Sequence, residues 1–251
     1  MPSRYFDPVN AKKREKILIK GDKKFCDTVE KLLNDWIYFS YVGRQVLNEI
    51  WNSPSGLKVT IQYNMNTWNS FVDDNPDTPE DEESNQFAKG IQYAIKGMDP
   101  AKGTGKGASP TLNFDPDTKV PQSFCKGGVC PTPRFNLPRF VLFHELIHSM
   151  RQMKGLWTNA PLTLNKKQTT LEEGIAILLT NMLMSEKGDN TLRVDHNSID
   201  TVIADQSTCA ADPAGKKIIE KIKTDHSGLY NSLAGLKNTV FPFNPLAASQ
   251  P

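Results

Sequence analysis

The sequence predicts an α+β fold: a single domain in which a small mixed β-sheet packs on a metal-binding helix, with a second, glutamate-bearing helix beside it. Three observations predict it. Residues 137–155, LPRFVLFHELIHSMRQMKG, read as a helix that contains His144-Glu145-Leu146-Ile147-His148, the HExxH arrangement. A second apolar helix opens downstream at Leu171-Glu172-Glu173-Gly174. Ahead of both, the short strand-like runs KILIK, KVTIQY and TLNFD are interspersed with helical patterns.

Residues 1–15 are polar and basic and read as a flexible lead-in; the domain is expected over 16–240, with 241–251 as tail. Lys16–Lys20 is a short strand. From Asp22, a suitable N-cap, Phe25, Val29, Leu32, Leu33 and Trp36 fall on one helical face. A second helix spans Ser40 to Asn52, with Val42, Val46, Leu47 and Ile50 inward, and Ser53-Pro54-Ser55-Gly56 ends it. Lys58–Tyr63 alternates as a strand does. Residues 73–83, DDNPDTPEDEE, hold seven acids and two prolines and form a solvated loop.

Gly103-Thr104-Gly105-Lys106-Gly107 is not a phosphate loop. Gly107 follows the lysine where Ser or Thr is required, and Pro100 occupies a glycine position. The segment reads as a flexible hairpin or lid. Thr111–Asp115 is another short strand, a candidate edge for pairing with extended substrate. In the central helix Phe140, Val141, Phe143, Ile147, Met150 and Met153 form an apolar stripe. Pro138 suits the first turn, and Gly155 supplies a left-handed end. Leu171 onward continues through Ile177, Leu178, Leu179, Met182 and Leu183 to Gly188.

Composition excludes several classes. Thirty basic and 28 acidic residues leave +2, too balanced for a nucleic-acid binder. No run of eighteen apolar residues exists for a spanning helix, and the N-terminus lacks the apolar core of a secretory signal. Four cysteines are too few for a disulfide scaffold; Cys125 and Cys130 either bridge a small loop or stay free.

On a helix, positions i and i+4 share a face, so His144 and His148 can present two imidazoles to one Zn²⁺. Glu145, one position along, reaches water on that ion as general base. The longer HExxHxxGxxH pattern fails at Arg151 and Lys154, so the third ligand is sought among the acids downstream. Glu172 and Glu173 point about 100° apart on a helix, so only one reaches the ion. Glu173 is favoured because it directly precedes Gly174; Glu172, the alternative ligand, then accepts a hydrogen bond from a ligand histidine. Arg193 and His196 are candidate donors to a tetrahedral oxyanion, and Asp195 a weaker ligand candidate.

The chain resembles the NleD-type effector metallopeptidases, zincins delivered by bacteria into host cells, from about Ile17 to Ser198. The shared features are ILIKGDKKFCDTVEKLL, VGRQVLNEI before KVTIQY, the Gly-rich loop before TLNFDP, LFHELIHSMRQMKG, and LEEGIAILLTNMLMSEKGDNTLRVDHNS. The resemblance implies a zincin-like fold and a zinc endopeptidase, a secreted or injected effector or toxin acting as a monomer on a protein substrate such as a host signalling protein. It aligns His144 and His148 with metal ligands, Glu145 with the catalytic glutamate, Glu172-Glu173 with an acidic pair, and Arg193 with a later arginine. Gly174 stands where the family places a bulkier residue, and His196 where it tends to place tyrosine. Two rivals of other classes are a non-catalytic module with a closed structural zinc and a membrane-directed toxin. The second would use the amphipathic pattern of Lys216–Lys237, where Ile218, Ile219 and Ile222 interleave with lysines.

Overall fold

The N-terminal half supplies a sheet and the first helices, and the C-terminal half the motif helix that packs on that sheet together with further helices. A computed structural model describes residues 2–8, 15–65, 69–72, 107–117, 138–164, 167–189, 192–193, 199–200, 206–236 and 242–249. Ser3–Tyr5 (β1) pairs antiparallel with Ile17–Lys20 (β2), and β2 runs parallel to Val59–Tyr63 (β3). β3 runs parallel to Pro110–Phe114 (β5), which pairs antiparallel with Asn69–Val72 (β4). Among the described residues this is a five-stranded mixed sheet ordered β1-β2-β3-β5-β4. The period-2 alternation buries Ile17, Ile19, Val59 and Ile61 on one face. The architecture is mixed α+β, a small mixed sheet with several helices.

The strand at 110–114 is not an edge, because β3 and β4 flank it; β4 is the outermost described strand on that side. Nor is the lead-in free throughout, since β1 pairs with β2 and Phe6 is buried. Both differences come from long-range pairing that leaves no trace in local pattern.

Between β2 and β3 run the two expected helices. Asp22 caps Lys23–Leu32 (α1) by accepting from Phe25 N at 2.7 Å, and Ser40 caps Tyr41–Trp51 (α2) by accepting from Gly43 N at 2.9 Å. α1 runs on as a π-helix over Leu33–Tyr38. The wider turn shifts the inward face, so Leu33 and Ile37 are buried while Trp36 lies under the Arg139 guanidinium, 3.5 Å from its ring centre.

The motif helix, Pro138–Met153 (α3), packs on β4, β5, α2 and Leu171–Glu186 (α4). The expected stripe is replaced by burial all round: every residue from Leu142 to Met153 is buried, polar ones included. Gly155 ends the segment at φ 65°, and Gly107, also at φ 65°, lies so close that a Cβ would meet the Met153 carbonyl oxygen at 2.0 Å. The connection to α4 contains a hairpin, Pro161–Leu164 (β6) with Lys167–Thr170 (β7). Leu192–Arg193 (β8) and Ile199–Asp200 (β9) make a second short pair.

Gln206–Ala211 (α5), Pro213–Asp225 (α6), Ser227–Ala234 (α7) and Pro245–Ala248 (α8) follow. The amphipathic pattern is therefore two helices, broken at His226. Its apolar face, Ile218, Ile219 and Ile222, is buried in the protein's own core. No helix among the described residues is long and apolar enough to cross a membrane. Residues 242–249 are not a free tail: Phe243 and Leu246 are buried, and Asn244 Nδ2 donates to Leu233 O at 2.9 Å. Cys125 and Cys130, the acidic run 73–83 and Gly103–Lys106 lie outside the described residues.

Candidate metal centre

α3 presents His144 and His148 one turn apart, both buried, with their Nε2 atoms 3.2 Å from each other. The first turn of α4 faces them. Its N-cap, Thr170, accepts from Glu173 N at 3.2 Å, which fixes where the first-turn carboxylates project. Glu173 sets one oxygen 3.3 Å from His144 Nε2 and the other 3.3 Å from His148 Nε2. These three residues form a group able to hold a metal ion. Ligand atoms about 2.0–2.1 Å from a tetrahedral ion stand roughly 3.3 Å apart, so the spacing fits that geometry.

Glu172 points elsewhere. It is fully buried, accepts from Arg151 Nε at 2.7 Å and from Thr158 N at 3.3 Å, and lies 3.4 Å from His148 Nδ1. A carboxylate there makes Nδ1 the protonated nitrogen and leaves Nε2 to bind. The two glutamates thus divide as their helical offset requires. Trp157 tilts against His148 at 5.2 Å between ring centres.

The two histidines are perturbed in opposite directions. Burial disfavours charge on His148, yet Glu173 and Glu172 overcome it and raise its pKa well above the ordinary value. His144 goes the other way, lowered to about 3 by burial and the neighbouring Arg193. Arg193 Nη1 is 2.9 Å from His144 Nδ1. A guanidinium only donates, so this Nδ1 accepts; a neutral His144 holding metal on Nε2 carries its proton on Nδ1, and the contact must then open. The Arg193 backbone is held on both sides by Asn181, with Arg193 N donating at 2.8 Å and Arg193 O accepting at 2.8 Å.

Glu145 is 7 % exposed, one position from His144 on α3. His196 and Asp195 lie outside the described residues. Gly174 has a packing reason: a Cβ would meet the Leu162 and Ile218 methyls at 2.7 and 2.8 Å, so neighbours from β6 and α6 take the place of a larger side chain.

Sequence reasoning missed a buried network behind the ligands. Arg151 is completely buried, 2.9 Å from Asp225 Oδ2 and 3.1 Å from His226 Nε2, and it also donates to Leu156 O. His226 is buried with Nδ1 3.2 Å from Glu49 Oε2, and Glu49 also pairs with Lys154. An arginine amid the apolar motif helix was the available signal; its partners on α4 and at the α6–α7 junction were not foreseeable.

Burial pushes the Glu49 carboxyl up, but His226 and Lys154 outweigh it and hold it at about 2 against an ordinary 4.5. A depressed carboxyl contributes stability that is fully present above its unfolded pKa and is lost as pH falls through the folded one. Urea midpoints are therefore expected to fall between pH 4.5 and 2, with a shallower slope in Glu49→Gln. Equal slopes would remove Glu49 as the source.

Two buried histidines and a glutamate disposed around one point, in a mixed α+β fold, form a candidate metal site. The Peptidase_M91 family model, described as effector protein, matches residues 13–199, and the chain belongs to this peptidase family. The resemblance read from the sequence is thus borne out at the level of family. No curated protein matches the chain.

Proposed function

We propose that the protein is a zinc-dependent endopeptidase with a zincin-like fold, delivered into a host or target cell to cleave a protein there. The observation that supports this best is the His144–His148–Glu173 cluster, spaced as a tetrahedral ion requires and followed along α3 by a carboxylate free of the ligand role. Zinc bound there supplies Lewis acidity, lowering the pKa of water towards about 7 and polarising the scissile carbonyl. Glu145 accepts the proton of the attacking water and returns it to the leaving amine. Glu172 holds His148 by Nδ1, keeping Nε2 aimed at the ion. Arg193, released from His144 Nδ1 when that nitrogen carries a proton, donates to the tetrahedral oxyanion, with His196 as the other candidate donor.

Substrate is proposed to lie along β4. Ser70, on this outermost described strand, accepts from Ser149 Oγ of α3 at 2.8 Å and donates to Gln152 Oε1 at 2.6 Å. An extended peptide adding to that edge would run beside the ligands. The closed structural-zinc reading has less support, because such a site has no use for Glu145.

Chelator treatment is expected to remove zinc and abolish cleavage of a host-cell lysate, scored by mass spectrometry of new N-termini, and zinc to restore it. Cleavage that persists in metal-free protein would sink the reading.

A further inference from the structure

We infer that Arg151 is a positioning residue that ties the metal ligand His148 to the C-terminal helices, so that α6 and α7, beyond the segment matched by the family, complete the site. This rests on the zinc reading of the cluster above.

Arg151 lies one turn beyond His148 on α3, where the helix is buried all round. A bare guanidinium there is costly unless each donor is met. Here Nε donates to Glu172, Nη1 meets Asp225 and His226, and Nη2 donates to Leu156 O. The acceptors come from α4, from the turn after α3, and from the α6–α7 junction. Only the planar fork of arginine reaches three directions at once; a lysine ammonium is a single point with three donors.

Glu172 is the link to the metal. Its Oε2 is taken by Arg151 and by Thr158 N, which leaves Oε1 for His148 Nδ1. Arg151 therefore fixes the carboxylate in both charge and rotation, and through it the tautomer and ring angle of His148. The pairing also explains why Glu173 and not Glu172 faces the ion, since the charge of Glu172 is already met.

The far side is equally anchored. Arg151 can only donate, so His226 Nε2 accepts and its Nδ1–H donates to Glu49, which Lys154 also holds. Lys221 pairs with Asp225 at 3.0 Å. Three cations, Arg151, Lys154 and Lys221, thus face three carboxylates, Glu172, Glu49 and Asp225, around a neutral histidine. The network is balanced without borrowing charge from the metal site.

The test is zinc affinity by competition with a chromophoric chelator, on full-length protein shown to be folded by circular dichroism. Arg151→Lys and Glu172→Gln are each expected to weaken zinc binding about 10–100-fold, the usual effect of losing a ligand's hydrogen-bond partner. The double variant should be no weaker than the worse single, because both act through one contact. A purely structural Arg151 would lower the melting temperature and leave the zinc affinity of folded protein unchanged; that result, or additive losses, overturns the inference. If Arg151→Lys does not fold, Asp225→Asn serves. It loosens the same guanidinium from outside the family segment, and wild-type zinc affinity there overturns the inference equally. Wild-type protein that takes up no zinc would instead overturn the metal reading itself.

Discussion

Glu145→Gln is expected to keep zinc and fold while lowering peptide-bond cleavage about 10²–10⁴-fold, the range a positioned general base contributes. The substitution preserves shape and hydrogen-bonding capacity at a buried position and removes only the ability to take a proton. Glu145 is 7 % exposed and adjoins His144, so its chemistry and not its packing should be what is lost. The measurement pairs metal analysis with a lysate cleavage screen, using the glutamine variant as the inactive arm. Unchanged cleavage with zinc retained would falsify the peptidase mechanism and leave a binding module as the better account.

The second large effect separates two neighbouring glutamates. Glu173→Ala should lose most of its zinc with little change in metal-free stability, because this side chain is 24 % exposed and its partners are the two ligand histidines. Glu172→Ala should do the reverse in emphasis. It strips an anion from a wholly buried Arg151, and breaking such a pair costs about 3–5 kcal/mol. For a chain of this size that corresponds to a fall in melting temperature of roughly 6–20 °C. Metal content and thermal unfolding of the two variants, measured without added zinc, should therefore cross over. Equal zinc retention in both would send the third ligand elsewhere.

Much of the site was legible because it is local. Two histidines four apart share a helix face whatever the fold, and Leu171-Glu172-Glu173-Gly174 reads as a helix start with acids in the first turn. The caps at Asp22 and Ser40 and the strands at 17–20, 59–63 and 110–114 were readable for the same reason. The π-helical turn at 33–38 was not, since apolar spacing suits α and π registers almost equally over six residues.

By itself, then, the sequence determined the helix that carries the two histidines, the pair of acids facing it, and the family to which the chain belongs. Each depends on residues close together along the chain, where helical geometry decides the outcome. Tertiary structure alone decided that β4 and not the strand at 110–114 is the outermost described strand on its side of the sheet. It also decided that the apolar residues of 213–236 and 242–249 pack into the core rather than trail or stay exposed. Above all it brought Arg151, Asp225, His226 and Glu49 together behind the ligands. Burying a helix on every side forces its charges to find partners, and which partners they find depends on elements far apart in sequence.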